Sequence, residues 1–378
     1  MKNIKLYLIL GSNICISLAV AFIIAVSPPP NTVHNLISLD KEIIKPAMWE
    51  KFECLGVQCE LCPFRCYLPE GARGICRVRM NVSGKLKTLV YNQPVSVHID
   101  PIEKKPVYHM LPGSRIFSIA TVGCNLRCAF CQNWEISQCY PEQATGRIMT
   151  PQEVVDEAVK SGCDSIAYTY SEPIVFYEYV LDTAKLAKEK GLKNVLVSAG
   201  YINSEPLRKL APYFDVIKID LKGFSEKFYR EVVGGELKFV LETLKELNRM
   251  GVLVEVVNLV VPTLNDNMDE IKKMCQWIYQ NLGRDTPLFF SRFGPQYRLT
   301  NLPPTPIETL EKARDVALKT GLRYVYIGNV TGHPSENTYC PVCGKILVRR
   351  YGYAILENNI AKDGKCPFCG EKIPGVWE

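Results

Sequence analysis

Three cysteines, Cys124, Cys128 and Cys131, stand four and three residues apart in "CNLRCAFCQNWE", and no fourth cysteine follows at ligand spacing. Soft thiolates suit iron–sulfur clusters, and three of them can hold three irons of a [4Fe–4S] cube. The fourth iron then lacks a protein ligand and is free to accept the amine and carboxylate of a small molecule. A structural zinc takes four protein ligands. With only four histidines in the chain, a distant imidazole is a poor candidate for completing such a site.

Eight of the other cysteines fall into two further groups, and Cys15, Cys54, Cys139, Cys163 and Cys275 stand outside them. Cys340 and Cys343 ("CPVCG") and Cys366 and Cys369 ("CPFCG") are paired knuckles, each turning two sulfurs toward one ion. They predict a zinc ribbon with a structural role, a rubredoxin-like single iron being the alternative. Cys59, Cys62, Cys66 and Cys76 offer four thiolates for zinc or a second iron–sulfur cluster, with Cys54 as a substitute for one of them. Such tight spacings converge on ions more readily than they frame disulfides, and they fit a reducing compartment. Cys139 and Cys163 read as buried thiols. The lone histidines His109 and His333 read as packed or hydrogen-bonded side chains, and Lys104 and Lys105 as a solvated turn.

These groups need elements to hold them. From residue 114 onward, short apolar runs alternate with helical patterns. Strands are expected at "RIFSIATVG", "SIAYTY", "NVLVSAG", "VIKIDLKG", "LVEVVNLVVP" and "PLFFSRF", with "RYVYIGN" later. Helices are expected over 151–161 behind Thr150 as N-cap, 174–190, 236–250 and 307–320, the last three each ending at a glycine. Strand–helix alternation of this kind means parallel units with right-handed crossovers. Six units predict a curled, barrel-like α/β domain, with a doubly wound open sheet as the rival. In either case ligands gather at the C-terminal strand ends, and the three-cysteine loop follows the first strand there.

The bulk numbers leave room for a large core, with 378 residues of which 47% are hydrophobic and 22% charged. The formal charge of +6 is spread among alternating lysines and glutamates, which argues against nucleic acid as a partner. Residues 6–26, "LYLILGSNICISLAVAFIIAV", are uncharged and long enough as a helix, roughly 30 Å, to cross a bilayer. They predict a membrane anchor, with the catalytic part on the cytoplasmic side. Residues 27–46 read as its linker, and Met48 offers an alternative start.

The motif C-x3-C-x-aromatic-C resembles the signature of the radical S-adenosylmethionine (radical SAM) superfamily. That resemblance implies that S-adenosylmethionine binds the open iron, that Phe130 lies near the adenine, and that reductive cleavage yields a 5′-deoxyadenosyl radical. It also implies a low-potential electron donor of the flavodoxin or ferredoxin type. "YSEP" resembles the loop that meets the amino group and points to Ser171 and Glu172. "IDLKG" resembles the D-x-K of pyruvate formate-lyase activating enzymes and points to Asp220 and Lys222, while Ser198 and Asn258 match their third and fifth strand ends. From residue 48 onward, "CELCPFRCYLPEGARGICRVR", "DPIEKKPVYHMLPGS" and "NLPPTPIETLEKAR" resemble the AmmeMemoRadiSam-system radical SAM enzymes. The chain departs from them at Phe289 and Gly294, where histidines are expected. The resemblance implies a partial (β/α)6 barrel and a radical SAM oxidoreductase whose first candidate substrate is a backbone glycine of a protein. The expected division is an anchor and linker over 1–46, a Cys-rich module over 47–113, the barrel over 114–330 and the zinc ribbon over 331–378.

Overall fold

The structure, a computed structural model, describes residues 44–378. Strands β1 (Lys45–Pro46), β2 (Glu50–Glu53), β3 (Gly56–Cys59), β4 (Tyr67–Pro69), β5 (Arg79–Val82) and β6 (Lys85–Thr88) make two small antiparallel sheets, β1-β6-β5 and β2-β3-β4. They carry the first cysteine group, Cys59 at the end of β3 and Cys62, Cys66 and Cys76 on the turns that follow. A buried ion pair ties them to the rest. The Arg79 guanidinium donates to both Glu178 oxygens at 2.9 Å, on a helix of the central fold.

The central sheet has eight strands: β7 (Ser96–Pro101), β8 (Arg115–Ala120), β9 (Ser165–Tyr168), β10 (Lys193–Ser198), β11 (Val216–Asp220), β12 (Leu253–Val260), β13 (Leu288–Arg292) and β14 (Val325–Gly328). They lie side by side in chain order. From β8 to β14 every neighbour is parallel, whereas β7 pairs antiparallel with β8. The order never reverses, so the sheet lacks the switch point of a doubly wound fold. All seven parallel strands coincide with runs expected from the sequence. They are buried on both faces, which is why they read as continuous Val/Ile/Leu runs rather than alternations.

Six main helices connect them: α1 (Pro151–Lys160), α2 (Tyr177–Glu189), α3 (Ser204–Leu210), α4 (Leu237–Arg249), α5 (Met268–Asn281) and α6 (Ile307–Thr320). Helix α1 starts as its sequence demands, with Thr150 and Glu153 in a reciprocal capping box and Pro151 at the first position. Helix α6 ends at Gly321, whose φ of 104° lies in the left-handed region. Helices α3 and α5 were not among the expected ones. The signal for α5 was present: Asn267 caps it, accepting from Asp269 and Glu270 N–H groups, and Ile271, Met274, Cys275 and Ile278 form its buried stripe.

The segment between β7 and β8 packs against the sheet, with Ile102, Val107 and Met110 in one buried cluster with Ala167, Val195 and Val216. The C-terminal strands β15 (Thr338–Tyr339), β16 (Ile346–Tyr351) and β17 (Ala354–Asn358) form a third small sheet. Arg350 rivets that sheet to the segment before β8: it is fully buried, donates to Tyr108 O at 3.1 Å and lies 3.9 Å over the Tyr108 ring.

One expectation is corrected. Among the described residues no helix is long and apolar enough to cross a membrane. The run over 6–26 lies outside the described residues, so the transmembrane helix, and with it the membrane partner and membrane-anchored localisation, has no support in the fold.

Candidate functional site

Strand β8 ends at Ala120, and the chain turns through Gly123 with φ of 100°. A Cβ at Gly123 would stand 2.6 Å from Val78 Cγ1 and 2.9 Å from Cys76 O, so only glycine lets the N-terminal sheets approach the loop this closely. The cysteine loop that follows is clamped by backbone. Arg127 N donates to Val233 O at 2.8 Å and Ala129 N to Val232 O at 2.9 Å. The Arg127 guanidinium donates to Cys124 O and Leu126 O at 3.0 Å and also reaches Ile75 O. That one side chain joins the loop to the first cysteine group.

Cys124, Cys128 and Cys131 open into a single cavity of about 670 Å³. Phe130 lines it too, stacked on Phe228 with ring centroids 6.1 Å apart. Asp220 closes another side, at the end of β11. Its carboxylate accepts from Lys222 Nζ at 2.7 Å and from Lys218 Nζ. Lys218 and Asp220 share a face of β11 through strand alternation, and Lys222, two residues past the strand end, completes a lysine–aspartate–lysine triad. Burial alone would raise the Asp220 carboxyl, but the two ammonium groups, Lys218 foremost, hold it at about 2. Burial likewise opposes the charge on Lys222, yet Asp220 and then the Cys128 sulfur keep its pKa above the ordinary lysine value. The Cys128 thiol is pushed up to about 12 by burial, against the pull of Lys222.

Ser171 and Ser198 also line the cavity, whereas Glu172 and Asn258 stand behind it. The Ser171 hydroxyl donates to Thr121 O at 2.7 Å, just past the end of β8. The preceding Tyr170 has φ of 63°, a left-handed conformation that costs a non-glycine residue on the order of 1 kcal/mol. Glu172 is a brace: it accepts from Ser198 Oγ at 2.7 Å, Ala199 N at 2.9 Å and Ile174 N at 3.2 Å, binding the end of β10 to the turn after β9. Asn258 Nδ2 donates to Leu221 O at 2.8 Å and so fixes the backbone between Asp220 and Lys222.

The fold and the sequence now decide the family. The radical SAM superfamily model matches residues 118–278. An uncharacterised protein of Methanocaldococcus jannaschii is 48% identical over 326 residues, covering 86% of this chain and 97% of its own. A pyruvate formate-lyase-activating enzyme of Clostridium pasteurianum is 27% identical, over 41% of this chain and 66% of that one. The chain belongs to the radical SAM superfamily. Among solved structures, a radical SAM methyltransferase from Sphaerobacter thermophilus superposes with a TM-score of 0.48 at 13% identity, over 85% of this chain and 86% of that one. So loose a likeness adds nothing to the assignment.

Membership implies a [4Fe–4S] cluster and S-adenosylmethionine, and the residues present fit both. Three thiols, with no fourth lining the cavity among the described residues, open onto the Asp220 carboxylate, the Lys218 and Lys222 ammonium groups and the buried Phe130 ring.

This radical SAM protein holds a second sulfur group in a different geometry. Cys340, Cys343, Cys366 and Cys369 have all four sulfurs within 4.8 Å of one another, with Cys340–Cys369 at 3.5 Å and Cys343–Cys366 at 3.7 Å. A tetrahedron of metal–sulfur bonds of ~2.3 Å has edges of ~3.8 Å. Both knuckles are built alike: Gly344 N donates to Cys340 O and Gly370 N to Cys366 O, each at 2.9 Å. The Lys345 backbone N–H draws the Cys343 thiol down to about 7. Cys59 ends β3 and Cys62, Cys66 and Cys76 lie on the turns that follow, with Cys66 and Cys76 both facing Gly74, where a Cβ would stand 3.7 and 3.6 Å from their sulfurs.

The remaining expectations divide. His109 is fully buried, with Nδ1 2.6 Å from Pro374 O and Nε2 2.8 Å from Tyr326 Oη. A carbonyl only accepts, so Nδ1 carries the proton and Nε2 accepts from the tyrosine. His333 Nδ1 accepts from Ser335 N at 3.1 Å. Phe289 packs between Tyr108 and Tyr326, with centroids at 4.8 Å from each. The solvated turn fails for one residue. Lys104 is 44% exposed, but the Lys105 side chain is only 2% exposed and lines the cavity. Lys218 was missed as well, although its place two residues before Asp220 marked it.

Proposed function

We propose that this protein is a radical SAM enzyme using Cys124, Cys128 and Cys131 as cluster ligands and the cavity beside them for S-adenosylmethionine and substrate. The observation that supports it best is the opening of all three thiols, Phe130 and the Lys218–Asp220–Lys222 triad into one space. Held by Cys124, Cys128 and Cys131, a reduced cluster would supply the electron for cleaving S-adenosylmethionine to methionine and a hydrogen-abstracting 5′-deoxyadenosyl radical.

The chain's own residues then bind and orient. Lys222 would hold the cofactor's carboxylate, with Asp220 fixing the ammonium and keeping it charged. Phe130 would pack against the adenine. The turn at Ser171 would present backbone to the amino group, with Glu172 and Asn258 holding Ser198 and the D-x-K backbone in place. With cofactor and substrate seated, the cavity walls would exclude water from a reactive intermediate.

The domain division set out above suits this reading, with the sheet curled as a partial (β/α)6 barrel. In support, one cavity touches Val197 and Ser198 of β10, Asp220 of β11, Val257 of β12, Ser291 of β13 and Gly328 of β14, which a flat sheet could not arrange. The substrate we favour is a backbone glycine of a protein partner, by analogy with the activating enzymes, with a low-potential flavodoxin or ferredoxin as electron donor. Zinc is the ion we assign to Cys340, Cys343, Cys366 and Cys369. The first cysteine group would hold zinc or a second iron–sulfur cluster.

The test is anaerobic reconstitution followed by reduction. Wild-type protein should form 5′-deoxyadenosine and methionine, and Cys128→Ala should form none while retaining metal at the C-terminal group. Undiminished cleavage by that variant would overturn the assignment.

A further inference from the structure

The cavity carries a second charged group that the cofactor chemistry leaves unused. Asp100, near the end of β7, accepts from Lys104 Nζ at 2.8 Å on one oxygen. Its other oxygen takes Lys105 Nζ at 2.5 Å and the Tyr170 hydroxyl. Lys105 also donates to Tyr170 Oη at 3.2 Å, and its ammonium stands 4.4 Å from that ring's centroid. The arrangement repeats the Lys218–Asp220–Lys222 triad, so four ammonium groups face two carboxylates.

Among the described residues, the other acids around the cavity are engaged by other donors. Glu103 accepts from Gly113 N and faces Arg350 at 4.0 Å, while Glu336 accepts from the Gly332 and Gly352 N–H groups. Lys222 has the Cys128 sulfur as its further counter-charge. Lys218 has Glu255, its register partner on β12, but that carboxylate accepts from the Tyr108 and His109 N–H groups and burial raises it to about 7; Lys105 has no further acid among the described residues. Each ammonium has three donors. Among the described residues, Lys105 spends two on Asp100 and Tyr170, and Lys218 one on Asp220.

A buried charge is costly unless it is paired. Burial pulls Lys105 down to about 8, against the support of Asp100, and the neighbouring Lys104 and Lys218 charges add to the fall. The site is also braced toward the cysteine loop: Asn133 Nδ2 donates to Tyr170 O at 2.8 Å, so the residue that orients Lys105 is held from the segment bearing Cys131.

We infer that Lys105 and Lys218, with Tyr170 beside them, form an anion subsite that takes a carboxylate or phosphate group of the substrate. The inference rests on the proposed radical chemistry only in taking the bound anion to belong to the substrate. It narrows that substrate to one presenting negative charge within the same cavity as the carbon that loses hydrogen. A glycine-bearing protein partner would meet this by bringing a carboxylate or phosphate of its own into the cavity with the glycine.

The experiment uses reconstituted, unreduced full-length protein with saturating S-adenosylmethionine, so that the cofactor's own carboxylate is already seated. Inorganic phosphate and malonate are titrated separately by calorimetry. One of them should bind at a single saturable site per chain, phosphate marking a phosphorylated substrate and malonate a carboxylated one. Lys105→Gln should weaken that binding about tenfold or more, the order expected for losing a charge-assisted hydrogen bond. Lys105→Arg, which keeps the cation, should stay within about threefold of wild type. Absence of saturable binding of either anion, or equal affinity in Lys105→Gln, overturns the subsite. Cleavage of S-adenosylmethionine by the same preparation, once reduced, reports separately on the radical chemistry.

Discussion

Asp220→Asn is the sharpest perturbation of the site. The carboxylate accepts from Lys218 and Lys222, whose side chains are 5% and 17% exposed, and is itself 25% exposed. The amide is nearly isosteric, so packing is kept while the negative charge between two ammonium groups is lost. Removing one partner of a buried pair costs about 3–5 kcal/mol. Because the carboxylate faces a cavity that admits water, the lower end, about 3 kcal/mol, is expected. Unfolding entropy of roughly 2.1 cal/mol/K per residue gives ~0.8 kcal/mol/K for a chain of this length, so the melting temperature should fall by about 4 °C. Thermal melts of anaerobically reconstituted wild type and variant, followed by circular dichroism, read this directly. Binding of S-adenosylmethionine should weaken by about tenfold, since Lys222 loses the group that orients it. Adding Lys218→Met to Asp220→Asn should restore more than half of the lost stability by removing one of the two stranded charges. A single variant melting within 1 °C of wild type would refute the reasoning, and so would a double variant less stable than the single.

Two further predictions concern the frame around the site. Cys366→Ser combined with Cys369→Ser should lose about one equivalent of zinc per chain by metal analysis, because the four sulfurs all lie within 4.8 Å of one another; unchanged zinc would remove the ion from that site. Acid should destabilise the fold through His109: burial, opposed by the bond to Pro374, holds the imidazole neutral with its pKa lowered from 6.5 to about 4. The unfolded chain therefore binds the proton first, and stability that is complete above pH 6.5 is lost as pH falls toward 4, by about 3 kcal/mol in all. Urea titrations of wild type and His109→Gln across that range should diverge in slope, and parallel pH profiles would exclude His109 as the cause.

The sequence by itself determined what depends on residue type and short spacing. Cys124, Cys128 and Cys131 announce a three-ligand site because thiolates a few residues apart cannot avoid sharing a loop. The two C-P-x-C-G knuckles announce their turns for the same reason. The parallel strands were legible because burial on both faces makes every position apolar, and Gly321 marked the end of α6 by its backbone freedom.

What only the tertiary structure decided is which side chains meet across long separations. Lys105 belongs to a stretch of charged residues that reads as a solvated turn. It becomes a cavity residue because Ile102, Val107 and Met110 pin that stretch against Ala167, Val195 and Val216. Glu172 matches a motif that points to the cofactor, yet its carboxylate is consumed by Ser198 and Ala199 at the neighbouring strand end. Arg127 joins two cysteine groups some fifty residues apart, and Arg350 fastens the last small sheet to the turn that carries Lys105. The anchor expected over 6–26 rested on hydropathy alone, a local property that says how apolar a stretch is and nothing of what it packs against. Local spacing specifies which chemistry a loop can hold; the register of distant strands and the packing of the connections between them decide which charges share the cavity with it.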